Sequence, residues 1–141
     1  MNMRYKWFLS VALAALLSAL ACGGGNDYGE AVKVNTKFVD AMEGYINDID
    51  KADSASAIVE AIDAYAQEIE KLAPEMKAIA AKHPEWKDMG KVPEELKPVQ
   101  EKVRKIAAKI PSTFMKTMKY MMDTEVQEAQ KRLQDAMVKM Q

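Results

Sequence analysis

Residues 55–79 read ASAIVEAIDAYAQEIEKLAPEMKAI, and the spacing of their apolar side chains decides the fold class. These side chains recur at alternating intervals of three and four residues, which places them on one face of an α-helix. The stripe consists of Ala55, Ile58, Ile62, Tyr65, Ile69, Leu72, Met76 and Ile79. Asp53 or Ser54 can cap the start of this helix, and His83 before a proline ends it. The stripe keeps its phase across Pro74, so we expect a kink there and not a break.

Three further apolar stripes accompany this helix along the chain. The first runs from about Tyr28 to Asp50 and comprises Ala31, Phe38, Met42, Tyr45 and Ile49, with Val34, Val39 and Ile46 alongside. The third begins at Pro93, is expected to kink at Pro111, and comprises Val99, Val103, Ile106, Ile110, Phe114, Met118 and Met121. Asp123 looks like a fresh N-cap before the last stripe, Val126, Ala129, Leu133, Ala136 and Met140, although one continuous helix through Asp123 is the alternative.

The four stripes and the absence of alternating strand patterns predict an all-α protein. The link at 51–53 is short, which makes the first two helices antiparallel neighbours. We therefore predict an up-down four-helix bundle with kinked second and third helices, formed by residues 30–141. Burial of the stripes is sufficient to fold it without a metal ion or a disulfide.

The N-terminal region has the organisation of a secretory signal. Arg4 and Lys6 precede an uncharged apolar stretch, residues 7–21, which ends at the single cysteine of the chain, Cys22. A membrane-spanning helix needs about 20 apolar residues, and this stretch is shorter. A positive start, an apolar middle and a small residue before the cut are typical of a cleaved signal peptide.

The end of this stretch, Ala19-Leu20-Ala21-Cys22, resembles the processing motif of bacterial lipoproteins. The resemblance implies that residues 1–21 are removed and that the Cys22 sulfur carries diacylglycerol, with a further acyl chain such as palmitate on the new N-terminus. Two or more acyl chains hold a protein stably on a membrane. Glycine at position 23 favours, by the same resemblance, the outer membrane and a position facing the periplasm. Residues 22–29 are glycine-rich and predict a flexible tether.

The charge balance argues against several kinds of partner. The chain has 20 Lys and Arg and 21 Asp and Glu. The predicted signal peptide contains two of these cations and no acid, so the remaining chain has 18 cations, 21 acids and a net charge of −3. The charges are interspersed, as on a solvated surface. We expect neither nucleic acid nor an anionic membrane face as a partner.

Part of the first helical hairpin resembles cytochrome b562, a periplasmic four-helix bundle that binds haem. The resemblance lies in IDKAD at 49–53, ASAI at 55–58 and AI at 61–62, with a second similarity in EVQEAQ at 125–130. It implies the fold and the compartment.

The haem ligands of that family are a methionine on the first helix and a histidine on the last. Val39 stands at the methionine position, and the last predicted helix has no histidine. The single histidine, His83, lies in the loop between the second and third helices. The resemblance therefore implies no haem, and we expect no cofactor other than the lipid on Cys22.

Methionines concentrate in the third helical run. Met115, Met118 and Met122 share a helical face, and Met-x-x-Met spacings supply soft thioether ligands for Cu(I). Lys116 and Lys119 add positive charge, which disfavours a cation. Two other interpretations are core packing beside a kink and a groove for a hydrophobic ligand or partner helix.

The remaining candidate residues are aromatic. Trp86 either covers the open end of the bundle or provides an exposed contact for a partner. Tyr45 and Tyr65 lie on core stripes and need hydrogen-bond partners there.

The chain contains no catalytic motif: Gly-x-Ser-x-Gly, His-Glu-x-x-His and a phosphate-binding loop are all missing from the sequence. We expect a non-enzymatic, lipid-anchored envelope protein that binds an envelope protein or has a structural role. The alternative is binding of a soft metal or a small hydrophobic ligand at the methionine cluster.

Overall fold

The computed structural model describes residues 28–82 and 94–140, and every regular element in these ranges is helical. The elements are α1 (Tyr28–Lys51), α2 (Ala55–Lys82), a 3₁₀ helix (Glu94–Leu96), α3 (Lys97–Ala107), α4 (Ile110–Met118) and α5 (Thr124–Val138). The all-α class is confirmed. Tyr28 and Gly29, which were predicted to end the tether, already belong to α1. Cys22, His83 and Trp86 lie outside the described residues.

The stripes of α1 and α2 form most of the core. α2 continues without interruption through Pro74, and the hydroxyl of Ser54 accepts a hydrogen bond from the Ala57 N–H at 3.2 Å near its start. Nearly every predicted side chain of these two helices is buried, and only Tyr45, Ala55 and Met76 are half-buried. The alternating intervals of three and four residues follow the helical repeat closely, so the stripe stays on the core side along the whole helix.

Ion pairs on the surface fix the relative directions of α1 and α2. Lys82 contacts Glu30 at 2.6 Å, and Lys37 contacts Glu75 at 2.8 Å. Residue numbers rise along α1 while they fall along α2, so the two helices are antiparallel neighbours, as the short link predicts.

The α3–α4 run lies beside α1 and is parallel to it. Lys102 contacts Asp40 at 2.6 Å and Glu43 at 2.8 Å, and further along both helices Lys116 donates to the backbone carbonyl of Asp50. Both α3 and α4 pack against α1.

α5 has the same relation to α2. Arg132 contacts Asp63 at 2.8 Å, and Lys139 contacts Glu70 at 2.6 Å. Residue numbers rise together in the two pairs, so α5 is parallel to α2 and packs closely against it. The chain direction alternates from one helical run to the next, but these two close pairings join runs that are not consecutive in the sequence.

The third predicted helix is divided into two. α3 ends at Ala107, the N–H of Lys109 bonds the carbonyl of Ile106 at 2.9 Å, and α4 starts at Ile110. Pro111 lies in the first turn of α4, where its missing N–H leaves no helical hydrogen bond unmade. The kink that we expected at Pro111 is therefore a two-residue turn just before it.

The buried face of α4 also differs from the prediction. Phe114 and Met118 were expected to continue the core stripe, but they are 37% and 41% exposed. Thr113 and Thr117 are buried instead. The cause is visible in the spacing within α4, since two successive steps of four residues from Ile110 each overshoot a full turn by about 40°. The apolar stripe thus drifts off the core side, and the threonines occupy it.

The start and the buried face of α5 agree with the prediction from the sequence. The Asp123 side chain accepts hydrogen bonds from the N–H groups of Glu125 at 2.9 Å and Val126 at 3.3 Å, so the predicted N-cap is confirmed and the helix is not continuous through Asp123. The first four members of the last stripe are buried, and Met140 is half-buried.

Candidate functional site

An apolar surface lies on the solvent side of α4 and of the turn that follows it. We call it the methionine face and define it as Phe114, Met115, Met118 and Met122. Met115 is 66% exposed and Met122 is 91% exposed. Of the large hydrophobic side chains exposed in the described ranges, only Val138 lies elsewhere. Exposed apolar side chains that cluster in this way mark an interaction surface more often than singly scattered ones do.

The methionine face extends from α4 into the turn that follows it. Met115 and Met118 lie on α4, one turn apart, and Met122 follows in the turn before α5. In that turn the Met121 N–H bonds the Met118 carbonyl at 3.3 Å, so the chain keeps turning in the helical sense. The turn is tighter than an α-helix, and Met122 extends the exposed apolar stretch beyond the end of α4.

The opposite side of α4 is fixed to the rest of the molecule. Thr117 donates from its hydroxyl to the Thr113 carbonyl at 3.0 Å, so both buried hydroxyls satisfy helical carbonyls. Lys116 donates to the Asp50 carbonyl, and the Tyr120 hydroxyl donates to the Asp53 carbonyl at 2.9 Å. The Lys116 contact holds α4 against the C-terminal end of α1, and the Tyr120 contact joins the turn after α4 to the link between α1 and α2.

The segment that bears this face is basic. Residues 102–122 read KVRKIAAKIPSTFMKTMKYMM and contain six cations and no acid. The expectation that charges are interspersed is wrong for this segment. The signal was available in the sequence, in the interval between Glu101 and Asp123, but the net charge of the whole chain concealed it.

Three of the six cations face α1. Lys102 lies between Asp40 and Glu43, whose carboxylates raise the pKa of the Lys102 ammonium through hydrogen bonds, that of Asp40 first. Lys109 donates to the Asn47 side-chain oxygen at 3.4 Å. Lys116 is the third.

The other three cations, Arg104, Lys105 and Lys119, are exposed. Arg104 lies 3.7 Å from the Glu101 carboxylate, at a distance too long for a hydrogen bond. Lys119 directly follows Met118 of the methionine face, whereas Arg104 and Lys105 lie on α3, before the turn that precedes α4.

The thioether groups of the proposed soft-metal cluster lie in solvent-accessible positions. Met115, Met118 and Met122 are all exposed, whereas the Met121 sulfur accepts a hydrogen bond from the Gln130 amide at 3.1 Å and is turned toward α5. Within 28–82 and 94–140, no three His, Cys, Asp or Glu side chains form a group that could hold a metal ion. A metal here would depend on the three methionines.

A stacked pair of tyrosines lies in the core, with Tyr45 on α1 and Tyr65 on α2. The Tyr45 and Tyr65 rings are 4.9 Å apart with an interplanar angle of 18°. The Tyr45 hydroxyl has a hydrogen bond with the Thr117 side chain, while the buried Tyr65 hydroxyl has no partner among the described residues. Burial raises the pKa of both phenols. These side chains are part of the core, and only one satisfies the expected need for a partner.

Two shallow surface depressions lie between helices. One lies between α2 and α5 and is lined by the paired side chains of Arg132 with Asp63 and Lys139 with Glu70. The other lies between α1 and α2, where Lys37 contacts Glu75. Most of the charged groups that line the two depressions are engaged in ion pairs, either between helices or, for Lys71 and Glu68, within α2.

Comparison with known proteins gives no relative. No protein-family model matches the chain, and neither curated proteins nor solved structures show a significant similarity to it. None of the described helices is both long enough and apolar enough to cross a bilayer.

Proposed function

We propose that this protein is a lipid-anchored component of a bacterial cell envelope that acts by binding, and that the methionine face is its binding surface. The observation that carries the proposal is the outward exposure of Phe114, Met115, Met118 and Met122 on a helix whose other side is held against α1. The anchor is the acylated Cys22, and the protein faces the periplasm from the outer membrane. No catalytic step is part of the proposal.

The proposed architecture is a four-helix bundle in which α3 and α4 together count as one helical run. The alternating directions of the runs and the single main core cluster shared by α1, α2, α3 and α5 support it. A bend of α2 at Pro74 belongs to the same proposal. The bundle acts as a rigid support that presents α4.

The anchor is tested by Cys22→Ser in cells. We expect the variant to leave the membrane fraction and to lose acyl labelling, because the sulfur is the attachment point. Ser18→Ala, which changes the same region and keeps the cysteine, should behave like the wild type. A Cys22→Ser protein that stays membrane-bound and keeps residues 1–21, beside a wild type of unacylated mass, would show that the anchor is wrong.

The binding surface is tested by a photo-crosslinking amino acid placed at Met115 in living cells. Val138 on α5 is the matched control, since it is also an exposed apolar side chain, at 55%. We expect a defined adduct, with protein or with lipid, from position 115 and none from position 138. Equal yields at the two positions would rule out the methionine face as the binding surface.

Soft-metal binding is a second candidate, favoured by three thioethers on one exposed surface. Ag(I) titration of the wild type and of the Met115/Met118/Met122→Leu triple variant tests it. Leucine is close to methionine in volume, so the fold should be preserved. Equal, weak uptake by both proteins would exclude the metal. Retained uptake of small hydrophobic ligands by the same variant would separate that alternative from the metal.

A further inference from the structure

Positive charge and exposed apolar side chains coincide on one segment of the chain. Residues 102–122 contain six of the 18 cations that follow Cys22 and none of the 21 acids. The rest of that chain therefore has 12 cations and 21 acids. The segment is thus basic while the rest of the chain after Cys22 is acidic, and an anionic plane would attract the cations that the segment exposes.

The exposed members of this segment combine two kinds of contact. Lys102, Lys109 and Lys116 are engaged with α1, so the outward positive charge comes from Arg104, Lys105 and Lys119. The methionine face supplies four apolar side chains in the same stretch. Lysine and arginine side chains can lay their hydrocarbon stems on an apolar surface and keep their charges at the headgroup level of a bilayer.

We propose that the methionine face docks on the anionic surface of a phospholipid bilayer. The proposal rests on the proposed function and names the occupant of its binding surface. The apolar side chains enter the boundary between headgroups and acyl chains, and Arg104, Lys105 and Lys119 pair with lipid phosphates. This proposal replaces the expectation, drawn from the net charge of −3 for the chain after Cys22, that an anionic membrane face is not a partner, because the segment 102–122 contains no acid.

Charge and surface chemistry favour a bilayer over a protein groove. A helix that fits a protein groove presents an apolar stripe which becomes fully buried, with charges kept at the rim. Here Met122 is 91% exposed and projects from the turn beyond α4, so the face continues past the helix. A soft, planar and anionic surface can accept such a face together with its cations.

The proposed anchor is compatible with this docking. Five residues lie between Cys22 and Tyr28, the first residue of α1, so this end of α1 can lie no further than about 20 Å from the anchored cysteine. The α3–α4 run lies beside α1 and parallel to it. If the long axis of α1 lies along the membrane, the anchored end and the methionine face can reach one bilayer together.

The test uses the full acylated protein anchored in vesicles, with an NBD fluorophore on Met115→Cys. The vesicles contain phosphatidylcholine alone or phosphatidylcholine mixed with phosphatidylglycerol. We expect blue-shifted emission and reduced quenching by aqueous iodide only in the phosphatidylglycerol vesicles, and partial reversal by salt. The matched control is Val138→Cys, which should report water in both. An unshifted Met115→Cys signal in phosphatidylglycerol vesicles, or an equal shift in both lipids, would overturn the proposal.

A failed anchor gives a different result from a failed docking. If Cys22 is not acylated, it takes up a second fluorophore in both variants, which mass spectrometry detects before any vesicle measurement. If the anchor forms and the face does not dock, both variants have a single label and show the same water-exposed emission. The two outcomes therefore cannot be confused.

Charge variants measure the electrostatic part of the docking. Lys105→Gln/Lys119→Gln should lower the docking equilibrium constant on phosphatidylglycerol vesicles about 25-fold, since each cation near an anionic surface contributes about fivefold. Lys77→Gln/Lys131→Gln removes two exposed cations from α2 and α5 and should change it little. Equal losses from the two pairs would show that only net charge matters, which contradicts a defined docking face.

Discussion

The α1–α2 pair and the α3–α4 run are both amphipathic, but their apolar stripes have different outcomes. In α2 the stripe alternates steps of three and four residues, and Ile58, Ile62 and Ile69 are completely buried. In α4 the stripe advances from Ile110 in steps of four, and Phe114 and Met118 leave the core. The comparison shows that a spacing close to the helical repeat does not guarantee burial of the whole stripe, because a small angular error accumulates at every step.

The difference has a functional side. When a stripe stays in phase with the helix, its side chains are buried in the core. When it drifts, some of its apolar side chains become exposed, while other residues keep the helix packed against its neighbours. Thr113 and Thr117 allow this, since their hydroxyls are satisfied by carbonyls of the preceding turn. The same segment can therefore pack on one side and bind on the other.

The largest expected effect comes from replacing one phenylalanine in each region with alanine. Phe38 on α1 is 1% exposed, whereas Phe114 on α4 is 37% exposed. We expect Phe38→Ala to lower the free energy of unfolding by about 3–5 kcal/mol and Phe114→Ala by about 1 kcal/mol or less. Urea unfolding followed by circular dichroism measures both. Similar losses would break the comparison and place Phe114 in the core.

Alkaline pH should destabilise the fold through the stacked tyrosines of the α1–α2 pair. Burial raises the pKa of Tyr45 and Tyr65 in the folded protein, so the unfolded chain ionises first, near pH 10. Stability is therefore complete below that pH and falls as pH rises through it, by up to about 1.4 kcal/mol per pH unit for each tyrosine. Tyr65→Phe should flatten the decline in urea unfolding free energy above pH 10. An unchanged slope would contradict the assigned burial effect.

At neutral pH the two tyrosines should respond in opposite directions to loss of the hydroxyl. Tyr45→Phe removes the hydrogen bond with Thr117 on α4 and should cost about 1 kcal/mol. Tyr65→Phe removes a buried hydroxyl that has no partner among the described residues, and should be neutral or stabilising by about 1 kcal/mol. Thermal unfolding of the two variants against the wild type gives the sign. A loss in Tyr65→Phe would point to a bound water or an undescribed partner.

The smallest effects are expected from the exposed ion pairs that join each outer helix to its neighbour. Arg132 makes two hydrogen bonds to Asp63, both at 2.8 Å, and Lys102 lies between Asp40 and Glu43. Arg132→Gln and Lys102→Gln should each shift the urea midpoint only slightly, because solvent and salt screen such pairs. The shift should disappear at high salt. A large shift that persists at high salt would make these contacts determinants of the packing.

The fold was predicted best from the sequence where the apolar stripes are most regular. The bounds of α1 and α2, the continuity of α2 through Pro74 and the Asp123 cap depend on local signals and were confirmed. The turn before Pro111 was predicted as a kink, because the position of a proline in the sequence does not show whether the helix bends there or ends and starts again.

The candidate site was identified only in part. Met115, Met118 and Met122 were singled out from their spacing, but Phe114 was assigned to the core and the basic segment was missed. Which helix packs beside which could not be read from the stripes, because an apolar face does not specify its partner. Cys22 and Trp86 lie outside the described residues and stay predictions.

The parallel pairing of α3–α4 with α1, and of α5 with α2, has a consequence for folding kinetics. Side-chain contacts across these interfaces join residues 59 to 69 positions apart in the sequence, whereas the ion pairs between α1 and α2 span 38 and 52. Closing longer loops costs more chain entropy and slows folding. We expect the α1–α2 hairpin to form first and the outer helices to dock later. Until α5 docks, α2 keeps an uncovered apolar side, which is prone to aggregation.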